Sequence, residues 1–315
     1  MQDRELTVRE TYENVRTSLG PELCAILDQP GWSDVMVEST SYETGYVAVD
    51  TDIKRMVRCR VNENGIAAAA RVLASYTNQG FNDSDHQTLD AVIPIMNLRC
   101  SFVSPPASSH ALVTFRKPNQ RLMTLDELLE MHTLTRTQAD FLIETMAKKR
   151  NLIFSGGTGS GKTSLMNTML NLIDPADRLY IIEDISEVIC DVKTHPFNER
   201  IVINRQYSYA DAIATALRQR PDRIIIGECR YGNQALEMLK AWGTGHPGGL
   251  STIHANDAKN VLERLDQLCS EVSVSSQKAM IHDVIDVVVQ MGRLKNSTQR
   301  LITELYDIRE DRYIK

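Results

Sequence analysis

Residues 156–163 have the types and spacing needed to bind a polyphosphate. They read Gly-Gly-Thr-Gly-Ser-Gly-Lys-Thr, which fits the pattern G-x-x-x-x-G-K-[ST]. Glycines here let backbone N–H groups turn inward around phosphate oxygens. Lys162 would reach the β- and γ-phosphates, and the Thr163 hydroxyl would ligate Mg²⁺. The sequence therefore predicts a nucleotide-binding loop whose contact residues are Gly156, Gly157, Thr158, Gly159, Ser160, Gly161, Lys162, Thr163 and Ser164.

The segments beside this loop have the periodicity that it needs. Residues 151–155 form a short apolar run typical of a buried strand, and apolar residues recur at helical spacing over 163–173. The loop would then lie at a helix N-terminus, which favours an anion. A glycine-rich turn that matches by chance is the alternative, and the flanks disfavour it.

A carboxylate is predicted close to the loop. Residues 223–228 read Arg-Ile-Ile-Ile-Gly-Glu, so Glu228 follows an apolar strand. At the carboxyl end of a parallel strand it would meet the γ-phosphate and a water. It could orient or deprotonate that water, or hold the metal through water. The alternative is a solvated glutamate that caps a buried strand.

The run Tyr-Ile-Ile-Glu-Asp-Ile-Ser-Glu at 180–187 also ends in carboxylates. Paired acids near a polyphosphate normally serve Mg²⁺, so the predicted metal ligands are Thr163, Glu183, Asp184 and Glu228. A solvated turn is the alternative for the two acids that follow this run.

Two histidines, His246 and His254, flank a predicted strand in the glycine-rich segment 243–254. One of them could hydrogen-bond the γ-phosphate, and a structural role is the alternative for His254.

Composition limits the class of protein. Of 315 residues, 42% are hydrophobic and 24% are charged, and the net charge is -6. These values are ordinary for a globular protein and give no support for nucleic-acid binding. The scattered cysteines, the charged N-terminus and the short apolar runs predict a cytosolic protein whose membrane attachment is peripheral.

The hydrophobic period changes along the chain and predicts two domains. Short strands and a few helices up to residue 116 predict an α+β domain over 1–117, whose first helix has capping-box spacing at Thr7 and Glu10. A polar linker is predicted over 118–123. Strands and helices alternate over 124–315, which predicts an α/β domain with a mainly parallel sheet.

These segments, in this order, resemble the secretion superfamily of traffic ATPases of type II and type IV secretion, conjugation and type IV pili. Residues 156–163 match its Walker A, 183–187 its Asp box, 224–228 its Walker B and 244–256 its His box. The chain is most similar to the TrbB-like conjugative-transfer branch. It lacks the four-cysteine zinc insertion of the type II branch, and it has Glu183-Asp-Ile-Ser where pilus and type II members have Glu-Asp-Pro.

The resemblance implies an α/β, RecA-like P-loop ATPase domain behind a smaller, PAS-like α+β domain. It implies Mg²⁺-dependent ATP hydrolysis by a hexameric ring at the cytoplasmic face of the inner membrane. Membrane components of a secretion or conjugation apparatus would be its partners, without direct nucleic-acid binding. The implied catalytic residues are Glu228, Glu183, His246 and His254, with Arg116 from the first domain to stabilise charge on the γ-phosphate.

Three alternatives remain open at this point. A pilus assembly or retraction motor belongs to the same class. A nucleic-acid translocase would use the same fold, and the net charge disfavours it. A nucleotide-switched scaffold without hydrolysis is disfavoured by Glu228.

Overall fold

The computed structural model describes residues 2–39, 45–50, 55–61, 63–82, 85–117, 121–203, 207–294, 297 and 299–315. The chain divides into two compact units, 1–120 and 121–315. This division falls inside the predicted linker at 118–123, of which residues 118–120 lie outside the described part. Among the described residues, no helix has the length and apolar character that crossing a membrane requires.

The first unit contains an antiparallel sheet and three helices within its described residues. The elements are α1 (Gln2–Leu19), α2 (Pro21–Leu27), β1 (Asp34–Ser39), β2 (Gly45–Asp50), β3 (Arg55–Cys59), α3 (Glu63–Tyr76), β4 (Thr88–Ile93), β5 (Leu98–Val103) and β6 (Leu112–Arg116). The strand order is β3-β2-β1-β6-β5-β4, and Val15, Leu73 and Phe102 lie in the core. The predicted α+β class is confirmed. The PAS-like assignment stays a prediction.

The first helix begins earlier than its sequence suggests. Helix α1 already includes Gln2, so Thr7 lies inside the helix, where its carbonyl accepts a hydrogen bond from Thr11 Oγ1 at 2.8 Å. The prediction of a cap at Thr7 is therefore wrong. The spacing matched, but the preceding residues also take helical geometry, and a cap needs a non-helical residue at its own position.

The second unit alternates strands and helices. Its elements are α4 (Leu125–Glu130), α5 (Arg136–Ala147), β7 (Leu152–Gly156), α6 (Lys162–Leu170), β8 (Leu179–Glu183), β9 (Asn198–Val202), α7 (Tyr209–Arg218), β10 (Arg223–Ile226), α8 (Gly232–Gly243), β11 (Leu250–Ile253), α9 (Ala258–Ser270), α10 (Lys278–Val284), β12 (Val287–Arg293), β13 (Arg300–Asp307) and β14 (Arg312–Tyr313). The strand order is β14-β13-β12-β7-β11-β10-β8-β9. Strands from β12 to β9 in this order run parallel, and β13 and β14 extend the sheet antiparallel.

The central strands are buried along their whole length because helices cover both sides of them. Every residue of β7, β8, β10 and β11 is buried. Ile153 contributes to the core shared with α7 to α10, whereas Leu152 and Phe154 contribute to the core shared with α5 and α6. This is the pattern of a parallel sheet between two helical layers. The predicted α/β class is confirmed.

Candidate functional site

The predicted phosphate loop connects the end of β7 to the start of α6. Gly156 has φ +144°, and a Cβ atom there would lie 2.2 Å from the carbonyl oxygen of Met291 on β12. Only glycine fits this position. Thr163 and Ser164 lie in the first turn of α6, and the buried Ser160 hydroxyl has no hydrogen-bond partner among the described residues. The backbone N–H groups of the loop and the unpartnered Ser160 hydroxyl both fit a polyphosphate.

Lys162 lies at the centre of this loop and is 7% exposed. Its Nζ donates to the carbonyl oxygens of Gly156 and Gly157, at 2.9 Å each, and lies 3.4 Å from His254 Nδ1. Burial lowers the pKa of Lys162, and the charges of Glu228 and Glu187 oppose that shift. The structure thus places Lys162 inside the loop, and its contact with the β- and γ-phosphates stays a prediction.

Glu228 follows β10 and faces the loop from the neighbouring strand ends. Its Oε2 accepts from Arg230 Nη2 at 2.6 Å, and its Oε1 lies 3.1 Å from His254 Nε2. Burial acts to raise the pKa of Glu228, but the hydrogen bond and charge of Arg230, together with Lys162, bring it below its ordinary value. Glu228 is therefore a carboxylate at neutral pH and can accept a proton.

His254 follows β11 and lies between Lys162 and Glu228. Its Nδ1 accepts from Lys162 Nζ when the ring proton is on Nε2. Nε2 lies 3.1 Å from Glu228 Oε1, and this oxygen has no hydrogen-bond partner among the described residues. Both Nδ1 and the Gly156 carbonyl oxygen, which are 3.1 Å apart, then accept from the same ammonium. The structure thus brings together three of the predicted site residues.

Arg230 connects this cluster to the end of β8. Its Nη1 lies 3.1 Å from Asp184 Oδ2, while Nη2 holds Glu228. Asp184 therefore shares a cation with the predicted base and lies at the same edge of the sheet. In the sequence alone, Arg230 is only one of several arginines beside β10.

Glu183 has a different environment from the one predicted. It is 1% exposed and accepts from the backbone N–H groups of Glu187 and Val188, at 2.9 and 3.0 Å, and from Ser186 Oγ at 3.2 Å. Arg200 Nη1 on β9 also pairs with it. Burial raises the pKa of Glu183, with Arg200 acting in the opposite direction. The Glu183 carboxylate therefore stabilises the turn after β8. Asp184 and Glu187 are the acids close to Arg230 and Lys162.

One predicted catalytic residue, His246, lies away from this cluster, and another, Arg116, lies in the other unit. His246 precedes β11, whereas His254 follows it, so the two histidines lie at opposite ends of that strand. Arg116 belongs to the first unit, where its Nε donates to Asp34 Oδ1 at 2.6 Å and its side chain is 47% exposed. Among the described residues, no group of three or more His, Cys, Asp or Glu side chains is arranged around one metal position.

A cavity of about 470 Å³ adjoins the loop. Loop residues Gly157 and Thr158 form one wall, and His254, Asn256 and Arg264 form part of the other. This volume falls in the range of small-molecule sites. The site therefore has an open, polar approach on the side of β11 and α9.

Two asparagines that no motif marks hold the loop helix to the segment after β8: Asn167 within α6 and Asn171 at its C-cap. Asn167 Oδ1 accepts from Ile189 N at 3.0 Å, and its Nδ2 donates to the Glu187 carbonyl at 3.1 Å. Asn171 Nδ2 donates to the Ile189 carbonyl at 2.9 Å. Helix α6 and the acidic turn are thus held together by side-chain amides.

The α/β fold and the loop between β7 and α6 are typical of P-loop nucleotide-binding proteins, and comparison with known families narrows the class. Residues 36–310 match the family model described as type II/IV secretion system protein. The chain belongs to this family.

Individual relatives indicate which members of the family this chain resembles. The conjugal transfer protein TrbB of Rhizobium radiobacter is 32% identical over 291 residues, which cover 89% of this chain and 85% of TrbB. The type IV secretion system protein PtlH of Bordetella pertussis is 33% identical over 232 residues, covering 62% of this chain and 67% of PtlH. The pilus retraction motor PilT, solved with bound ADP, is 19% identical with a TM-score of 0.64, covering 91% of this chain and 85% of that one. The likeness to PilT shows the fold alone.

Proposed function

We propose that this protein is a Mg²⁺-dependent ATPase that powers a type IV secretion or conjugal transfer apparatus as a ring-shaped motor. The observation that carries this proposal is the contact of Lys162, His254 and Glu228 at the mouth of the phosphate loop. The Lys162 ammonium lies 3.4 Å from Nδ1 of the His254 imidazole, and Nε2 of the same ring lies 3.1 Å from the Glu228 carboxylate. ATP hydrolysis needs a cation to offset the phosphate charge and a group that activates water.

Glu228 would act as the base in this scheme. Its Oε1 lies 3.1 Å from His254 Nε2 and has no hydrogen-bond partner among the described residues, whereas Oε2 is held by Arg230. A water beside the γ-phosphate would transfer its proton to Oε1. His254 would then contact the γ-phosphate and lose that contact when phosphate leaves.

Mg²⁺, when bound, would neutralise charge on the β- and γ-phosphates. The residues that would hold it are Thr163 directly, and Asp184 and Glu228 through water. Glu183, bonded to two N–H groups and to Arg200, would act indirectly by fixing the turn that carries Asp184 and Glu187.

The assembly and its location are part of the same proposal. The ring would be a homo-hexamer at the cytoplasmic face of the inner membrane, bound to membrane components of the apparatus. Arg116 of the first domain would add positive charge at the γ-phosphate, from its own subunit or a neighbour. The PilT-like fold is compatible with the pilus motor as the second candidate, but the relatives of 32–33% identity are conjugation and type IV secretion proteins.

Phosphate release from ATP tests the proposal directly. Wild-type protein should release phosphate only with Mg²⁺ present, and Lys162→Ala should lose both nucleotide binding and turnover, because it removes the cation inside the loop. Lys240→Ala, which removes an exposed lysine on α8 paired with Glu237, is the matched control and should behave like the wild type. Light scattering with an ATP analogue should give the mass of six subunits, as expected for a homo-hexamer. Turnover by Lys162→Ala within a few-fold of wild type would contradict the assignment.

A further inference from the structure

Two arginines approach the phosphate loop from the side opposite to the proposed catalytic cluster. Arg293 ends β12, and its Nε and Nη2 both donate to the carbonyl oxygen of Gly159, at 3.1 and 3.0 Å. Arg300 begins β13, and its Cδ would lie 3.2 Å from a Cβ atom at Gly161. Both side chains therefore lie against the loop itself. No sequence motif marks either residue.

The two arginines are directly opposite each other in the ladder between β12 and β13. Like charges at such cross-strand positions destabilise a sheet. Among the described residues, no carboxylate pairs with Arg293. Two like charges that both lie against a loop built for an anion point to an anionic ligand that interacts with both.

The strand order indicates which part of the ligand they would reach. β7, which leads into the loop, lies between β12 on one side and β11 and β10 on the other. His254 and Glu228 follow β11 and β10, so the γ-phosphate belongs on that side. The arginines lie on the other side of β7, toward the part of the nucleotide that is not transferred.

We propose that Arg293 and Arg300 bind the phosphates of the nucleotide that remain after hydrolysis. This rests on the proposed ATPase function and extends it to ground-state binding. Because ATP and ADP share those phosphates, the pair holds both ligands almost equally. Such uniform binding changes KM and leaves kcat unaltered.

The test is a titration of the full-length protein with a fluorescent ADP analogue, using Arg293→Ala, Arg300→Ala, the double variant and Arg293→Lys. Arg312→Ala is the matched control, because this exposed arginine begins β14, opposite Asp307 in the ladder, and so lies at the end of β13 away from Arg300. Each alanine variant should weaken ADP binding about tenfold at low ionic strength. Added salt should shrink the difference. At saturating ATP, kcat should stay within about twofold, with KM raised as much as the Kd for ADP.

The Arg293→Lys variant tests whether Arg293 acts through its charge or by holding the loop. Lysine keeps the charge but cannot make the two-pronged contact with Gly159, so it should retain most of the ADP affinity. A lysine variant as weak as the alanine variant would overturn the proposal, because it would show that Arg293 only holds the loop. A double variant that binds ADP as tightly as Arg312→Ala would overturn it too. Wild-type protein that binds no ADP would instead overturn the ATPase function as well.

Discussion

Replacing Glu228 by glutamine separates nucleotide binding from hydrolysis most sharply. The amide keeps an oxygen for Arg230, which lies 2.6 Å from Glu228 Oε2. Its NH₂ group would take the place of Oε1, which has no hydrogen-bond partner among the described residues. The hydrogen bonds from Arg230 to residue 228 and from Lys162 Nζ to His254 Nδ1 thus survive the change, but the group that takes a proton from water is gone.

The expected magnitudes differ strongly between activity and stability. A positioned general base contributes about 10²–10⁴-fold in rate, which corresponds to about 2.7–5.5 kcal/mol of activation free energy. The ion pair with Arg230 is weaker, because the Arg230 side chain is 36% exposed, and its loss should cost about 1 kcal/mol. In a unit of this size the melting temperature should fall by about 2–4 °C.

Two assays on one preparation distinguish these effects. Phosphate release should fall at least about a hundredfold, while the Kd for ATP changes little. Glu237→Gln on α8, which also removes a carboxylate paired with a cation, is the control and should keep wild-type turnover. If binding and turnover fell in parallel, Glu228 would be a structural residue, and the base would have to be sought among Asp184 and Glu187.

Two further changes probe the neighbouring charges. Glu183→Ala should destabilise the second unit by about 3–5 kcal/mol, because it leaves the Arg200 charge without its carboxylate and the N–H groups of Glu187 and Val188 without an acceptor, and a denaturant titration measures this. A loss below about 1 kcal/mol would show that Glu183 does not organise the turn. Arg230→Ala should move the acidic limb of the pH–rate profile to higher pH, because Arg230 is the main group that brings the pKa of Glu228 below its ordinary 4.5. In the wild type, the stability that Glu228 contributes is present above that ordinary value and is lost as the pH falls through the lowered one; an acidic limb at the same pH in both proteins would refute the assignment.

The loop, Glu228 and His254 were predictable from sequence for a physical reason. Each follows a short apolar run, and parallel strands bring their carboxyl ends to one edge. Local sequence alone therefore implies a common location for these residues. His246, at the amino end of the same strand, could not be distinguished from His254 by residue type.

Other features depend on pairings that local sequence does not encode. Glu183 is neutralised by Arg200, and that partner is set by the register between β8 and β9, a strand that no sequence pattern predicted. Arg293 reaches Gly159 only because β12 adds to the sheet beside β7. Neither contact has a fixed spacing along the chain, so no motif could reveal it.

The amide contacts of Asn167 have a consequence for the mobility of the site. Both ends of this side chain are used, one as acceptor from Ile189 and one as donor to Glu187, and it is 2% exposed. Aspartate would place a negative oxygen against the Glu187 carbonyl, and a shorter side chain would leave both groups unpaired. We therefore expect the first turns of α6 and the turn after β8 to open and close as one cooperative unit. A displacement that begins at the phosphate loop would then reach the acidic residues without any side chain having to cross the site.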